Sequence, residues 1–226
     1  MTKAKRKILC CDAVDWLNEN QRELGSIITS LPELEEVSMN ERDYRQWFRS
    51  AATQCFRATS EGHLTIFYQT DRLLNGRRIS KAQMLMQAAE ANDAQLIWHK
   101  IVLRRSPGKI DLRRPGYSHL LAFGDSKAKA GKATPDVFEA GGVLYPNGMG
   151  IQAATVALQA ALRHGTRVCD PFCGRGTVPA LAEPMGFTQI IGIDIDPDQC
   201  DAARTLKLGS VNVSATAPKK RFRLID

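Results

Sequence analysis

The sequence predicts a doubly wound α/β fold, a mostly parallel sheet with helices on both faces, and three observations predict it. Short apolar runs alternate with stretches of helical periodicity along most of the chain. The run GSIITS, residues 25–30, is apolar between small residues, as a strand buried on both faces requires. The stretch VCDPFCGRGTVPA, residues 168–180, reads as a buried strand, a glycine turn and a helix, the unit that holds a ligand in such sheets. That unit begins about three-quarters of the way along a 226-residue chain. The rest of the sheet must therefore come largely from the front of the sequence.

Each element follows in order. RKILCC is a first strand, and DAVDWLNENQREL a helix that Asp12 can cap. GSIITS is the second strand. ERDYRQWFRSAATQCFRA carries Tyr44, Trp47, Phe48, Ala51 and Cys55 at helical spacing. HLTIFYQT is a strand, SKAQMLMQAAEAND a helix, and AQLIWHKIVLRR and YSHLLAFG two further strands. The segment SPGKIDLRRPG between those two reads as loop from its Pro-Gly steps. DSKAKAGKATPDVFEAGGVLYPNG has less pattern. GIQAATVALQAALRHG is a helix, and after the glycine turn and its helix come the strand QIIGIDID and the helix PDQCDAARTLKL. The pattern predicts one domain over residues 1–208 and a flexible basic tail over residues 209–226.

Composition bounds the function. Hydrophobic residues make up 43% and charged residues 24%, ordinary for a globular protein. No apolar run approaches the roughly 18 to 20 residues that span a bilayer, so no membrane partner is expected. The basic MTKAKRK start meets an acid too soon for a signal peptide, which predicts a cytoplasmic protein. The six cysteines lie mostly in apolar runs without a Cys-x-x-Cys pair, and the four histidines are scattered. Reduced core thiols are expected, and no metal site. A net charge of +7 favours polyanionic partners, nucleic acid first.

Gly174 and Gly176 let the backbone bend sharply and approach a ligand. Asp194 ends the next strand, where a carboxylate can accept both hydroxyls of a ribose. A dinucleotide fingerprint wants a third glycine at position 179, where this chain has Pro179. A cofactor with a ribose but no pyrophosphate fits better. S-adenosylmethionine is such a cofactor, and its cationic end suits Asp170.

The combination DPFCGRGT, residues 170–177, with IIGIDIDPDQCDAAR, residues 190–204, resembles the cofactor-binding region of the DNA amino-methyltransferases and their relatives. Those enzymes methylate an exocyclic nitrogen of adenine or cytosine in DNA, or related positions in RNA. In their permuted classes the catalytic half comes first, and ILCCDAVDWLNENQRELGSIITSLPE is similar to that opening. The resemblance runs over residues 7 to 207 in consistent order. It implies a Rossmann-like methyltransferase, a sheet with an antiparallel edge strand and a circularly permuted motif order. It also implies cofactor contacts at Asp12, Asp170, Phe172, Gly174, Gly176, Thr177 and Asp194. Asp12 reads equally as a helix cap, and both roles are compatible.

The match fails at the catalytic tetrapeptide, which in the family is Asp, Asn or Ser, then Pro-Pro and an aromatic. Here it is Ser30, Leu31, Pro32 and Glu33. Ser30 and Pro32 fit the catalytic role, while Glu33 stands where the family stacks a ring on the extruded base. Glu33 either orients a substrate nitrogen as acceptor or base, faces solvent, or marks an activity lost. Tyr68 offers another ring, although a strand tyrosine more often packs. The segment 125–145 is short for a region reading several base pairs, which favours folded RNA over DNA, or a protein partner or homodimer. Arg104, Arg105, Lys109, Arg113 and Arg114 crowd one loop that is either a phosphate grip or a solvated surface. The expected function is S-adenosylmethionine-dependent methylation of a nucleic-acid base. A non-catalytic cofactor-binding subunit and a small-molecule methyltransferase are the alternatives.

Overall fold

A computed structural model describes residues 4–110 and 114–208, so Asp111, Arg113 and the expected basic tail lie outside the described residues. Among the described residues ten strands and six helices alternate, beginning β1 (Lys5–Cys10), α1 (Ala13–Glu19), β2 (Ser26–Thr29), α2 (Glu41–Ala58) and β3 (Leu64–Gln69). A short hairpin, β4 (Arg72–Leu74) and β5 (Arg77–Ile79), precedes α3 (Lys81–Glu90). Then come β6 (Gln95–Leu103), β7 (Tyr117–Gly124), β8 (Val137–Glu139) and α4 (Ile151–Leu162). The chain closes with β9 (Arg167–Asp170), α5 (Thr177–Ala182), β10 (Gln189–Asp194) and α6 (Pro197–Thr205).

Eight strands form one sheet in the order β1-β10-β9-β2-β3-β7-β6-β8. The strand before the glycine turn, β9, lies between β10 and β2, so strands from both ends of the sequence flank it. Every pairing from β1 to β3 is parallel, and β7 runs antiparallel to both β3 and β6. The antiparallel strand is thus third from its edge rather than the edge itself. The patternless segment after residue 124 supplies the reason, because its residues Val137–Glu139 pair with β6 as an outer strand. Lys100 holds that addition in place: its Nζ donates to the carbonyls of Thr134 and Pro135, each at 3.1 Å, and meets the Asp136 carboxylate at 3.2 Å.

The sheet has a core on each face, as period-two alternation requires. Phe67 of β3 packs with Leu17, Phe48 and Leu85 from α1, α2 and α3. Ile66 packs with Ala157 and Leu158 of α4 and Leu181 of α5. Tyr68, partly buried, packs against this second group. Cys55, Cys169, Cys173 and Cys200 are buried. Among the described residues no helix is long and apolar enough to cross a membrane.

The hairpin was not foreseen from the sequence. Its signal was nevertheless there: Asn75-Gly76 is a strong two-residue hairpin signal, and both adopt positive φ, at 48° and 73°.

Candidate cofactor and transfer site

The carboxyl ends of β1, β10, β9, β2 and β3 share one edge of the sheet, and the acidic residues gather there. Register sets this directly, because Cys10 is level with Asp194 and Gly192 with Asp170. Asp12, two residues past β1, therefore stands beside the end of β10. It caps α1, with Oδ1 accepting from the backbone N–H of Val14 at 2.7 Å and of Asp15 at 3.1 Å.

The glycine turn folds back over β10. Cys173 N–H donates to the Ile193 carbonyl at 2.8 Å, and Gly174 N–H to Asp194 Oδ2 at 2.9 Å. The other carboxylate oxygen of Asp194 accepts from Asp196 N–H at 3.0 Å. Gly176 has φ of +85°, and a Cβ there would lie 2.9 Å from that of Ala203, so helix α6 can approach only a glycine. Thr177 opens α5 and is buried.

Asp170 is only 4% exposed. Thr29 hydroxyl donates to its Oδ1 at 2.7 Å and Phe172 N–H at 3.3 Å. Burial nonetheless outweighs these bonds and pushes the carboxyl up to about 7. Phe172 is half-buried and meets Trp47 edge-on, with ring centroids 6.1 Å apart. Trp47 stacks on Tyr44 at 6.1 Å, and the Tyr44 hydroxyl donates to the Pro32 carbonyl at 3.0 Å. An aromatic file on α2 thus joins the glycine turn to the turn after β2. In the sequence Tyr44 and Trp47 mark only helical spacing.

The Ser30–Glu33 turn is held from several sides. Leu31 is 2% exposed and turns into the core. Its carbonyl accepts a long hydrogen bond, 3.4 Å, from the Gln69 amide at the end of β3. Glu33 N–H donates to Glu36 Oε2 at 2.6 Å. The Glu33 carboxylate is paired and only partly exposed: its Oε2 lies 2.7 Å from the ammonium of Lys81, whose side chain is wholly buried. Burial lowers the Lys81 pKa, and Glu33 opposes the shift by favouring the charged form. Lys81 gave no signal in the sequence, because a lysine at the start of a helix reads as surface.

Lys81 is tied further outward. Its N–H donates to Asp71 Oδ1 at 2.9 Å, and Asp71 Oδ2 lies 3.4 Å from His119 Nε2. His119 Nδ1 in turn bonds His99 Nε2 at 2.9 Å. Burial would raise the Asp71 pKa, but His119 and the Lys81 N–H outweigh it and the pKa falls.

Tyr145, just before α4, is a site residue that sequence reasoning missed. A Cβ on Gly174 would lie 3.2 Å from its hydroxyl, and the guanidinium of Arg175 sits 5.9 Å from its ring centroid. The loop between β6 and β7 projects from the same edge as the site, since β6 runs in the direction of β3. Arg104, Arg105 and Lys109 are exposed and Arg114 is half-buried, while Arg113 is outside the described residues.

No protein-family model and no curated protein matches the chain. Solved structures do. The cytosine-N4-specific PvuII DNA methyltransferase aligns over 92% of this chain and 88% of its own, with a TM-score of 0.71 and 14% identity. A Thermus thermophilus protein assigned as a DNA modification methylase, solved with S-adenosyl-L-methionine, aligns over 88% and 93% at TM-score 0.64 and 16% identity. The M1.HpyAVI–SAM complex aligns over 88% and 97% at TM-score 0.57 and 16% identity. At these identities the likeness is one of fold, a Rossmann-like sheet.

Proposed function

We propose that this chain binds S-adenosylmethionine and methylates a base in nucleic acid, with DNA as the substrate. The observation that carries the reading is the ring of Asp12, Asp170 and Asp194 at adjoining strand ends around the 174–176 turn. The residues fit such a cofactor. Asp170 is a buried carboxyl whose neighbours are a hydroxyl, a backbone N–H and the carboxylate of Asp194, so a cation is what it lacks. Each Asp194 oxygen takes one backbone N–H and keeps acceptor capacity for a ribose hydroxyl. Gly174, with no side chain, leaves the space beneath Tyr145 open.

When bound, the cofactor supplies an electrophilic methyl on a sulfonium. Asp170 would balance its positive end, Asp194 would orient its ribose, and Phe172 backed by Trp47 would form an apolar wall. Gly174, Gly176 and Thr177 shape the turn, and Asp12 lies at its rim. Ser30 directly follows β2, one residue past the Thr29 that bonds Asp170, so its hydroxyl suits a target N–H at the transfer point. Accepting from that N–H, Ser30 would hold the nitrogen lone pair toward the donor, and positioning does most of the rest. Glu33, tied to Lys81, anchors this turn instead of taking a proton.

DNA replaces the expected RNA because similar folds over most of the chain belong to proteins named as DNA methyltransferases. The Leu31 and Pro32 carbonyls already accept the Gln69 and Tyr44 donors. That favours a second reading, a cofactor-binding subunit without transfer. The deciding experiment offers methyl-labelled cofactor with duplex DNA, RNA and a metabolite extract. Label in DNA supports the proposal, and label in metabolites alone refutes it. Tight cofactor binding with no transfer to any of them selects the second reading.

A further inference from the structure

We propose that the β4–β5 hairpin enters the major groove of duplex DNA beside the Ser30–Glu33 turn. The inference rests on the nucleic-acid reading above and adds the element that does the reading. Its place is the first argument. The hairpin leaves the sheet just past Gln69, which bonds the Leu31 carbonyl, and rejoins the fold at Lys81, which pairs with Glu33. Both of its ends are thus fastened to the turn where transfer is placed.

Its anchoring is the second. Asp71 Oδ1 accepts from Lys81 N–H and closes the base of the hairpin, and Arg72 pairs with Glu35. Ile79 is 1% exposed, and Leu74 packs against the α2–α3 core. A ribbon so seated is rigid where it meets the site and free only toward its tip.

Its outward chemistry is the third. Cross-strand partners share a face, so Leu73 and Arg78, which pair, lie together on the side opposite Leu74 and Arg77. Leu73 is 40% exposed and Arg78 exposed, which sets an apolar contact beside a guanidinium. The Arg77 side chain, next to the tip, is exposed and makes no hydrogen bond or ion pair among the described residues. Guanidinium groups meet guanine edges and phosphates bidentately, and an apolar side chain meets a thymine methyl.

Dimensions decide between nucleic acids. Three residues per strand extend roughly 10 Å, and two strands lie about 5 Å apart. The B-form major groove, about 12 Å wide, admits a two-stranded ribbon. The A-form major groove of duplex RNA is too narrow for side chains to read. Arg104 and Lys109, exposed beyond the end of β6 on the same edge, would then lie over flanking phosphates.

The test measures binding of a duplex DNA and of the same sequence as duplex RNA across a salt series, for the unaltered protein and for Arg77→Ala/Arg78→Ala. The expected result is a loss of about tenfold or more on DNA, with the slope of log affinity against log salt shallower by roughly 1 per arginine. Cofactor affinity and melting temperature should match the unaltered protein. A Leu73→Ala variant should change preference among DNA sequences without altering the salt slope. Unchanged DNA affinity and slope in the double variant overturn the proposal and leave the methyltransferase reading standing. Equal loss on DNA and RNA overturns groove entry in favour of a phosphate contact. An unaltered protein that binds cofactor but no nucleic acid overturns both readings.

Discussion

Asp194 and Lys81 show how much one side chain decides at this site. Asp194 holds the glycine turn by the Gly174 N–H and keeps its remaining acceptor capacity for a ligand. Asp194→Ala should weaken S-adenosylmethionine by about 1 to 3 kcal/mol, since ribose hydroxyls would be left unpaired in a partly buried site. Isothermal calorimetry measures this, and unchanged affinity would remove the ribose role. Lys81 is a buried charge with one carboxylate partner at 2.7 Å. Lys81→Met should cost about 1 to 3 kcal/mol of stability by leaving the partly buried Glu33 unpaired, whereas Lys81→Met with Glu33→Gln should recover most of it. Denaturant titration of both variants separates a structural anchor from a dispensable surface pair. A double variant as unstable as the single one would show that the lysine acts through something other than Glu33.

At the scale of elements, the site is made by loops at strand ends while helices and strands hold them apart at fixed spacing. The β6–β7 loop is the clearest case. It leaves the site edge with Arg104 and Lys109 exposed, and its backbone is tied down by Arg104 N–H on the Gly116 carbonyl at 2.8 Å. Arg104→Ala with Lys109→Ala should therefore leave folding and cofactor affinity intact. DNA binding should weaken uniformly across sequences, with the salt slope reduced by about 2. This uniformity distinguishes a phosphate grip from the hairpin, whose contacts should discriminate between sequences. A salt slope unaltered by the double change returns the loop to ordinary solvated surface.

For the molecule as a whole, Asp170 couples stability to pH and to ligand. Its carboxyl stands near 7 in the folded protein, against about 4 when unfolded. Between those values the folded state keeps a proton that the unfolded state releases, so this contribution is lost as pH rises through about 7. The ligand-free protein should lose melting temperature from pH 5 to pH 8, and Asp170→Asn should flatten that decline. A cationic ligand would favour the ionised carboxylate and expel the proton. Calorimetry near pH 6 in buffers of different ionisation enthalpy should then show close to one proton released on binding S-adenosylmethionine. No release, or an affinity that falls as pH rises, would take Asp170 away from the cationic end of the ligand.

What the sequence by itself determined is whatever is encoded within a few residues. GSIITS and DPFCGRGT could be read because a buried strand and a glycine turn are local patterns, and Asp12 declared itself as a cap in the same way. The Asn75-Gly76 turn was equally local and was overlooked. Tertiary structure alone decided the contents of the site between elements. Tyr44 lies 12 residues from Pro32 and meets it where α2 folds back over the end of β2, while Lys81 lies far along the chain from Glu33 and reaches it because β2 and β3 are parallel neighbours. Leu31 and Glu33 depart from the family's tetrapeptide where Ser30 and Pro32 fit it, and only the fold reveals that this segment is tied to Gln69, Tyr44 and Lys81. Whether a carboxylate is a base or an anchor depends on its partner, and a partner brought in across a sheet leaves no mark in the neighbouring sequence.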